Sequence, residues 1–335
     1  MIKNSYWFCV IVFVFTGCVE KRYPYFKISG QTQGTYYHIT YENSPVKDLK
    51  PQVDSLLKTF DMSLSTYVDS SLISRINRGD TSVVIDHLLE RVYLEAKKVW
   101  EDTEGMFDIT VGPVVNAWGF GPEERKAVDS TLIDSLANFI GMDKIRIINN
   151  KMVKDEPGVR LDVNAIAQGY AVDVVTAFLN EKGINNYLVE IGGEIKTKGV
   201  NATGDLWRVG IDKPIEGNLM PGRNLQVIIS MKNRSLATSG NYRKFFEENG
   251  VKYVHSINPT TGYPVQQKLL SVTILADECI IADAYATACM VMGLEKSIEL
   301  VKNNKKLDGY FIYNDDEGKY RVYHDKSLTP FLEEF

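Results

Sequence analysis

The stretch Ser271 to Gly293, SVTILADECIIADAYATACMVMG, constrains this chain more than any other. An apolar run, Ser271 to Ala276, is followed by an acidic break and then by a small-residue segment that reads as a core helix. Within it Asp283 and Thr287 stand four apart, so on a helix they project from one face, one turn apart. The residues between them, Ala284, Tyr285 and Ala286, add no competing charge. A carboxylate with a hydroxyl or carbonyl oxygen is a hard-oxygen set, which suits magnesium rather than zinc. Two plainer readings stand beside this one: Asp283 caps a helix, and Thr287 bonds back to a carbonyl of its own helix.

The first residues read as a processing signal. Lys3 is the only charge before Glu20, and Tyr6 to Phe15 is nearly all apolar, a run too short to span a bilayer. It leads into Phe15-Thr16-Gly17-Cys18, and a small residue directly before a cysteine resembles a bacterial lipoprotein processing site. The expectation is a signal peptide over 1–17, a lipidated Cys18 with a tether to residue 26, and one domain over 27–335. The alternative is a plain signal peptide with an incidental cysteine. The protein would then sit in the cell envelope or periplasm, anchored to a bacterial membrane by lipid rather than inserted in it.

Hydrophobic content of 44% and charged content of 24% are those of an ordinary globular protein. Net charge is −5 with no long basic run, which argues against a nucleic-acid partner. Of the four cysteines, Cys279 and Cys289 remain for the fold and are read as buried free thiols. No CxxC, HExxH or Cys/His cluster points to zinc.

Along the chain, Phe26 to Tyr41 predicts two strands around Gln33-Gly34-Thr35. Asp86 to Glu101 predicts an amphipathic helix capped by Asp86, and Ala165 to Lys182 a long helix stopped by Gly183. Shorter helices are predicted over Ser70 to Asn77, Ser130 to Ile140 and Leu294 to Val301. Strands are predicted over Gly158 to Val163, Tyr187 to Ile191, Glu194 to Gly199, Trp207 to Ile211, Leu225 to Ser230 and Tyr253 to Ile257, among others. Strands cluster with helices inserted between them, so the expected fold is α+β with mixed or largely antiparallel sheets and packed helices.

Four further segments carry candidate chemistry. Phe107 to Pro122 places Gly112, Gly119 and Gly121 around Trp118 and Phe120, which reads as close backbone approach beside a stacking surface, or as a glycine-rich loop with a core tryptophan. Arg160 to Asp173 runs from a strand into a helix start beside Asp162, suited to phosphate or simply a capped turn. It lacks both the P-loop and the GxGxxG patterns. Ser235 to Phe246 reads as a polar turn whose small hydroxyls before Gly240 and whose backbone face a pocket, with Tyr242 and Arg243 following, or as a solvated loop. His255 to Pro264 sets one of only four histidines beside an Asn-Pro-Thr-Thr-Gly turn, as a titratable group at a strand end or a satisfied structural histidine. Together they suggest a pocket for a large aromatic, phosphate-bearing ligand with a magnesium ion.

These residues closely resemble the ApbE family, the FAD:protein FMN transferases. The likeness runs from Gly34-Thr35 through Ser65-Thr66-Tyr67, Phe107 to Pro122, Asp162 to Tyr170, Glu190 to Gly193, Thr238 to Tyr242 and His255 to Pro264, ending with Asp283 to Thr287. The resemblance implies an enzyme that, with magnesium, cleaves the FAD pyrophosphate and attaches FMN to a threonine or serine of an acceptor protein, releasing AMP. It implies acceptors among the flavoprotein subunits of Na⁺-pumping NADH:quinone oxidoreductases, Rnf-type complexes or related exported redox proteins. It places Gln33, Tyr67, Ala117, Trp118, Gly119, Asp162, Gln168 and Ile257 at the flavin nucleotide, and the Ala165 carbonyl, Asp283 and Thr287 on magnesium. His255 becomes the acid/base candidate and Tyr242 a wall or acceptor-side contact. Two positions depart from many members. Gln168 stands where others carry Lys or Glu, and Ala286 where some have a second aspartate. An FAD pyrophosphatase and a non-catalytic FAD-binding lipoprotein remain as alternatives.

Overall fold

The computed structural model describes residues 24–43, 48–123, 125, 127–215, 222–241, 245–248 and 251–335. The expected signal peptide, Cys18 and most of the tether lie outside them. The chain opens with β1 (Tyr25–Thr32), β2 (Thr35–Glu42), α1 (Lys50–Leu64), α2 (Leu72–Asn77) and α3 (His87–Asp102). There follow α4 (Gly112–Ala117), α5 (Ser130–Ala137), β3 (Ile145–Ile148), β4 (Lys151–Lys154), α6 (Ala167–Glu181), β5 (Tyr187–Ile191) and β6 (Glu194–Lys198). Then come β7 (Trp207–Asp212), β8 (Leu225–Met231), β9 (Ser235–Gly240), β10 (Phe245–Glu248) and β11 (Val251–Val254). The chain closes with β12 (Leu269–Ala276), α7 (Cys279–Met292), α8 (Leu294–Asn303), β13 (Asp308–Asn314), β14 (Tyr320–His324) and β15 (Leu332–Glu334).

Eight strands form one sheet in the order β1-β2-β5-β6-β9-β12-β13-β14. Every neighbouring pair in it is antiparallel. A three-stranded sheet, β15-β8-β7, is separate from it. The sequence marks the first hairpin well: Gln33 (φ 50) and Gly34 (φ 70) both take left-handed backbone, as a two-residue hairpin turn matched to strand twist requires.

The apolar run at β12 is buried along nearly its whole length because both faces of the sheet are covered. Ile39, Tyr187, Val189, Val272, Ile274 and Phe311 join the helices in one core. Leu236, Leu275, Tyr310 and Ile312 point the other way and join Val209, Ile211, Val227 and Ile229 of the small sheet in a second core. Neighbours on a strand thus serve opposite layers, as the period of two dictates.

Several expectations shift. Ser235 to Gly240, read as a turn, is a strand, paired from end to end with β12. Gly158 to Val163, read as a strand, makes a single bridge, Val111 with Arg160. The side-chain amide of Asn77 instead takes both backbone groups of Leu161, at 2.7 and 2.8 Å. The strand expected at Tyr253 to Ile257 ends at Val254. Helix boundaries fall close to expectation: Asp86 accepts from the Leu89 amide at 2.9 Å to cap α3, and Gly183 (φ 76) follows α6.

One opening in the large sheet positions the site. β6 and β9 pair only at Ile195–Leu236 and Lys196–Ser235. Beyond Leu236, β9 continues along β12 alone, so the sheet parts between Glu194 and Thr238.

Candidate flavin and metal site

Helices α6 and α7 meet at one corner of the helical layer. Gly169 makes this possible: a Cβ there would sit 2.6 Å from the Cβ of Asp283 and closer still to the Cys279 carbonyl oxygen. The approach lets the Gly169 amide donate to Oδ2 of Asp283 at 2.9 Å. The neighbouring amides of Ala167 and Tyr170 donate to the carbonyls of Val163 and Ile166. The Ala165 carbonyl, which would accept from Gly169 in a regular helix, is thereby released from the ladder.

Asp283 is 5% exposed. Burial pushes its carboxyl up to about 7, against the opposing pull of the Gly169 amide. One turn on, the Thr287 hydroxyl lies 3.1 Å from that of Ser239, near the end of β9 and beside the sheet opening. A buried carboxyl, a released carbonyl and a hydroxyl matched with another hydroxyl make an all-oxygen corner, so the donor set fits a hard cation. Among the described residues no three His, Cys, Asp or Glu side chains cluster as metal ligands, so any cation here depends on neutral oxygens as well.

The remaining candidates form linked groups around this corner. Gln168, beside Gly169, reaches the Gly192 turn and Thr35: a Cβ on Gly192 would lie 2.7 Å from its Nε2 and 3.1 Å from the Thr35 methyl. Next to Thr35, both amide atoms of Gln33 are buried without a hydrogen-bond partner. An open cavity of about 350 Å³ is lined by Gln31 to Tyr36. Asp162 holds the other side of the α6 entry. Its Oδ1 accepts from the Asn164 amide at 2.9 Å, its own amide donates to the Ile109 carbonyl at 2.7 Å, and burial raises its carboxyl. Tyr67 is 62% exposed, and its phenol is raised by burial and by the charge of Asp162 nearby.

The aromatic loop is more enclosed than the sequence suggests. Trp118 donates through Nε1 to the Gly262 carbonyl at 2.8 Å and stacks on Tyr253 with centroids 5.3 Å apart. It shares a small core with Val114, Ile133, Ile140 and Ile257. The indole therefore binds the Ala117–Gly119 segment to the Asn258–Gly262 turn and is itself largely covered, while Gly119 beside it takes left-handed backbone at φ 79. His255 stands edge-on to Phe120 at 6.4 Å. The next residue, Ser256, donates to the Asn241 side chain at 3.1 Å, just past β9, which links the histidine segment to the sheet opening. Asp108 knits its own loop, accepting from the amides of Thr110 and Met142. Tyr242 and Arg243 lie outside the described residues.

A sequence model of the ApbE family matches residues 33–311. The chain belongs to the ApbE family. It is 40% identical over 324 residues to an FAD:protein FMN transferase of Vibrio cholerae, covering 94% of this chain and 95% of that one. It is 37% identical over 314 residues to an FAD:protein FMN transferase of Haemophilus influenzae, covering 89% of each. In three dimensions it resembles the flavin transferase ApbE from Vibrio cholerae (TM-score 0.83, 38% identity, 92% of this chain and 99% of that one). It also resembles the apo form of the flavinyl transferase ApbE from Pseudomonas stutzeri (TM-score 0.81, 29% identity, 92% and 97%).

Three contributors to this ApbE corner are missed by motif reading. The Gly169 amide is one, although a glycine inside a helical pattern is itself a sign of close approach. Ser239 is another as a named partner of Thr287, although the hydroxyls before Gly240 are read as facing a pocket; a strand rather than the expected turn places it. The third is the buried pair Asp173 and Lys196, which lie 2.6 Å apart and for which no sequence pattern speaks.

Proposed function

We propose that this chain transfers FMN from FAD to a threonine or serine hydroxyl of an acceptor protein, releasing AMP, with magnesium held by Asp283, Thr287 and the Ala165 carbonyl. Its family membership and the names of its relatives support the flavin chemistry. The single observation that carries the catalytic reading is the α6–α7 corner, where the Gly169 amide turns to Asp283 and frees the Ala165 carbonyl. A passive flavin carrier has no use for such an oxygen set.

Magnesium, when bound, would neutralise the pyrophosphate and stabilise the leaving oxygen. The chain's own residues do the rest. Gln33 brings an unpaired amide with both donor and acceptor capacity, suited to the polar edge of a flavin or adenine ring. The backbone of Ala117 to Gly119 offers close approach to a ring face, and Tyr67, Asp162, Gln168 and Ile257 complete the nucleotide pocket. His255 takes the proton of the acceptor hydroxyl as its oxygen bonds to the FMN phosphorus. The P–O–P bridge then breaks and its oxygen leaves with AMP. The acceptor in this reading is a flavoprotein subunit of a Na⁺-pumping NADH:quinone oxidoreductase, an Rnf-type complex or a related exported redox protein. A lipid on Cys18 would tether the enzyme to a membrane on the same side.

The test is intact-mass spectrometry of a candidate acceptor domain incubated with the protein, FAD and magnesium. A mass gain equal to FMN, dependent on magnesium and lost in Asp283→Ala, is expected. FAD converted to free FMN and AMP with no gain on any of several acceptors would replace transfer with pyrophosphatase activity.

A further inference from the structure

Helix α7 carries both Asp283 and Thr287, yet nothing local caps it. Glu278, at its N-cap, makes no side-chain capping bond. The cap comes from another helix. Asp173, on α6, accepts from the Ile280 amide at 2.8 Å, and the Cys279 amide also bears on its carboxylate. The other oxygen of Asp173 accepts from Lys196 Nζ, on β6, at 2.6 Å. The side chains of this pair are only 20% and 10% exposed, for lysine and aspartate respectively.

Asp173 lies four residues after Gly169 on α6, and Asp283 three residues after Ile280 on α7, so each pair is one turn apart on its helix. The two helices thus exchange hydrogen bonds in both directions: the α6 amide of Gly169 donates to Asp283, and the α7 amide of Ile280 donates to Asp173. Two such bonds one turn apart fix both the rotation and the axial position of α7 against α6. The Gly169 amide holds the carboxyl of Asp283 and the Ser239 hydroxyl meets that of Thr287, but the phase in which α7 offers both donors toward the Ala165 carbonyl follows the rotation of the helix that bears them.

We infer that Asp173, held by Lys196, is a positioning residue for the Asp283–Thr287–Ala165 oxygen set, acting as a remote cap that sets how α7 presents its donors to a divalent cation. This rests on the metal reading proposed above. Lys196 opposes the burial that raises the carboxyl of Asp173, and its hydrogen bond to one oxygen leaves the other aimed at the α7 amides.

The experiment measures Mn²⁺ affinity by electron paramagnetic resonance titration of the full chain, with FAD affinity in the absence of metal as the control for folding. Removing one partner alone would strand a buried charge and unfold the corner for an unrelated reason. The pair is therefore changed together. Asp173→Ala with Lys196→Met deletes the cap, whereas Asp173→Asn with Lys196→Met keeps a neutral side-chain oxygen for the Ile280 amide. A positioning role predicts that the alanine pair binds Mn²⁺ roughly tenfold more weakly with FAD affinity unchanged. It also predicts that the asparagine pair returns to within about threefold of the natural protein. Unchanged Mn²⁺ affinity in the alanine pair overturns the inference, as does equal weakness in both pairs. Should the alanine pair lose FAD binding as well, the asparagine pair decides alone: affinity near natural supports the role, and a tenfold loss overturns it. Asp283→Ala in the same titration separates the two readings. If it binds Mn²⁺ as the natural protein does, the metal reading falls and takes this inference with it. If it loses Mn²⁺ while the alanine pair keeps it, only the positioning role falls.

Discussion

The large sheet is covered on its two faces by very different layers. The small-sheet side is closed by the side chains of Val209, Ile211, Val227, Ile229, Met231, Leu236, Leu275, Tyr310, Ile312 and Leu328. The helical side buries Asp283, and largely covers the Asp173–Lys196 pair, among alanines, cysteines and glycine. One strand, β12, feeds both: Ile274 faces the helices and Leu275 the small sheet. The contrast teaches where a fold of this kind stores stability and where it stores function. The apolar layer needs only volume and the right period. The helical layer gives up apolar contact to hold oxygen atoms in place, and it satisfies them through backbone amides at close helix approach.

That division can be broken experimentally. The largest effect is expected from Asp283→Ala, which should lower FMN transfer at least about 1,000-fold, equivalent to ~4 kcal/mol of barrier. Circular dichroism and thermal melting should show the fold intact; retained magnesium-dependent transfer in that variant would end the assignment. Ile229→Ala, on the opposite face, should cost about 2–4 kcal/mol in chemical denaturation and leave transfer per folded molecule unchanged. A matching loss of turnover there would erase the distinction between the layers.

Gly169→Ala should act on both quantities. The added methyl meets the Cys279 carbonyl and the Asp283 Cβ, so about 1–3 kcal/mol of stability and the Gly169–Asp283 bond should be lost together, read by denaturation and Mn²⁺ titration.

The pH dependence sharpens the comparison further. The Asp283 carboxyl holds its proton to about 7 in the folded protein and to about 3.8 otherwise. Between those values the folded state binds the extra proton, so this group makes metal-free stability fall as pH rises, by up to about 1.4 kcal/mol per unit, and the loss is complete above 7. Asp283→Asn should flatten the slope. Divalent-ion affinity should run the other way, weakening as pH drops below 7 because cation and proton compete for one carboxylate. The smallest effect belongs to Ser239→Ala, which removes one hydroxyl beside Thr287 and should change Mn²⁺ affinity by no more than about threefold.

The parts of this molecule legible in the sequence are those with local causes. The α3 stripe and its Asp86 cap, the Gly183 stop and the Gln33-Gly34 hairpin all follow from residues within a few positions of one another. The Asp283/Thr287 spacing was legible for the same reason. Strand β9 was not, because Ser-Leu-Ala-Thr-Ser-Gly has little intrinsic strand preference and is made a strand by β12 beside it. Gly158 to Val163 failed in the opposite sense, since Asn77 captures the backbone groups a partner strand would have used. Trp118 looked like a stacking platform from its glycine neighbours, but only the fold reveals that Tyr253 already lies against it. The remote cap at Asp173 joins residues 107 positions apart, beyond the reach of any periodicity.

Helix α7 also carries both free cysteines among the described residues, Cys279 and Cys289. Ten residues of helix put them about 15 Å apart along the axis, far beyond disulfide reach. Burial pushes the Cys289 thiol up to about 12 and that of Cys279 well above its ordinary value, so neither supplies the thiolate that oxidants attack. The two thiols of the helix that carries Asp283 and Thr287 are therefore neither placed to pair with each other nor easily ionised. A disulfide between them would require the helix to unfold.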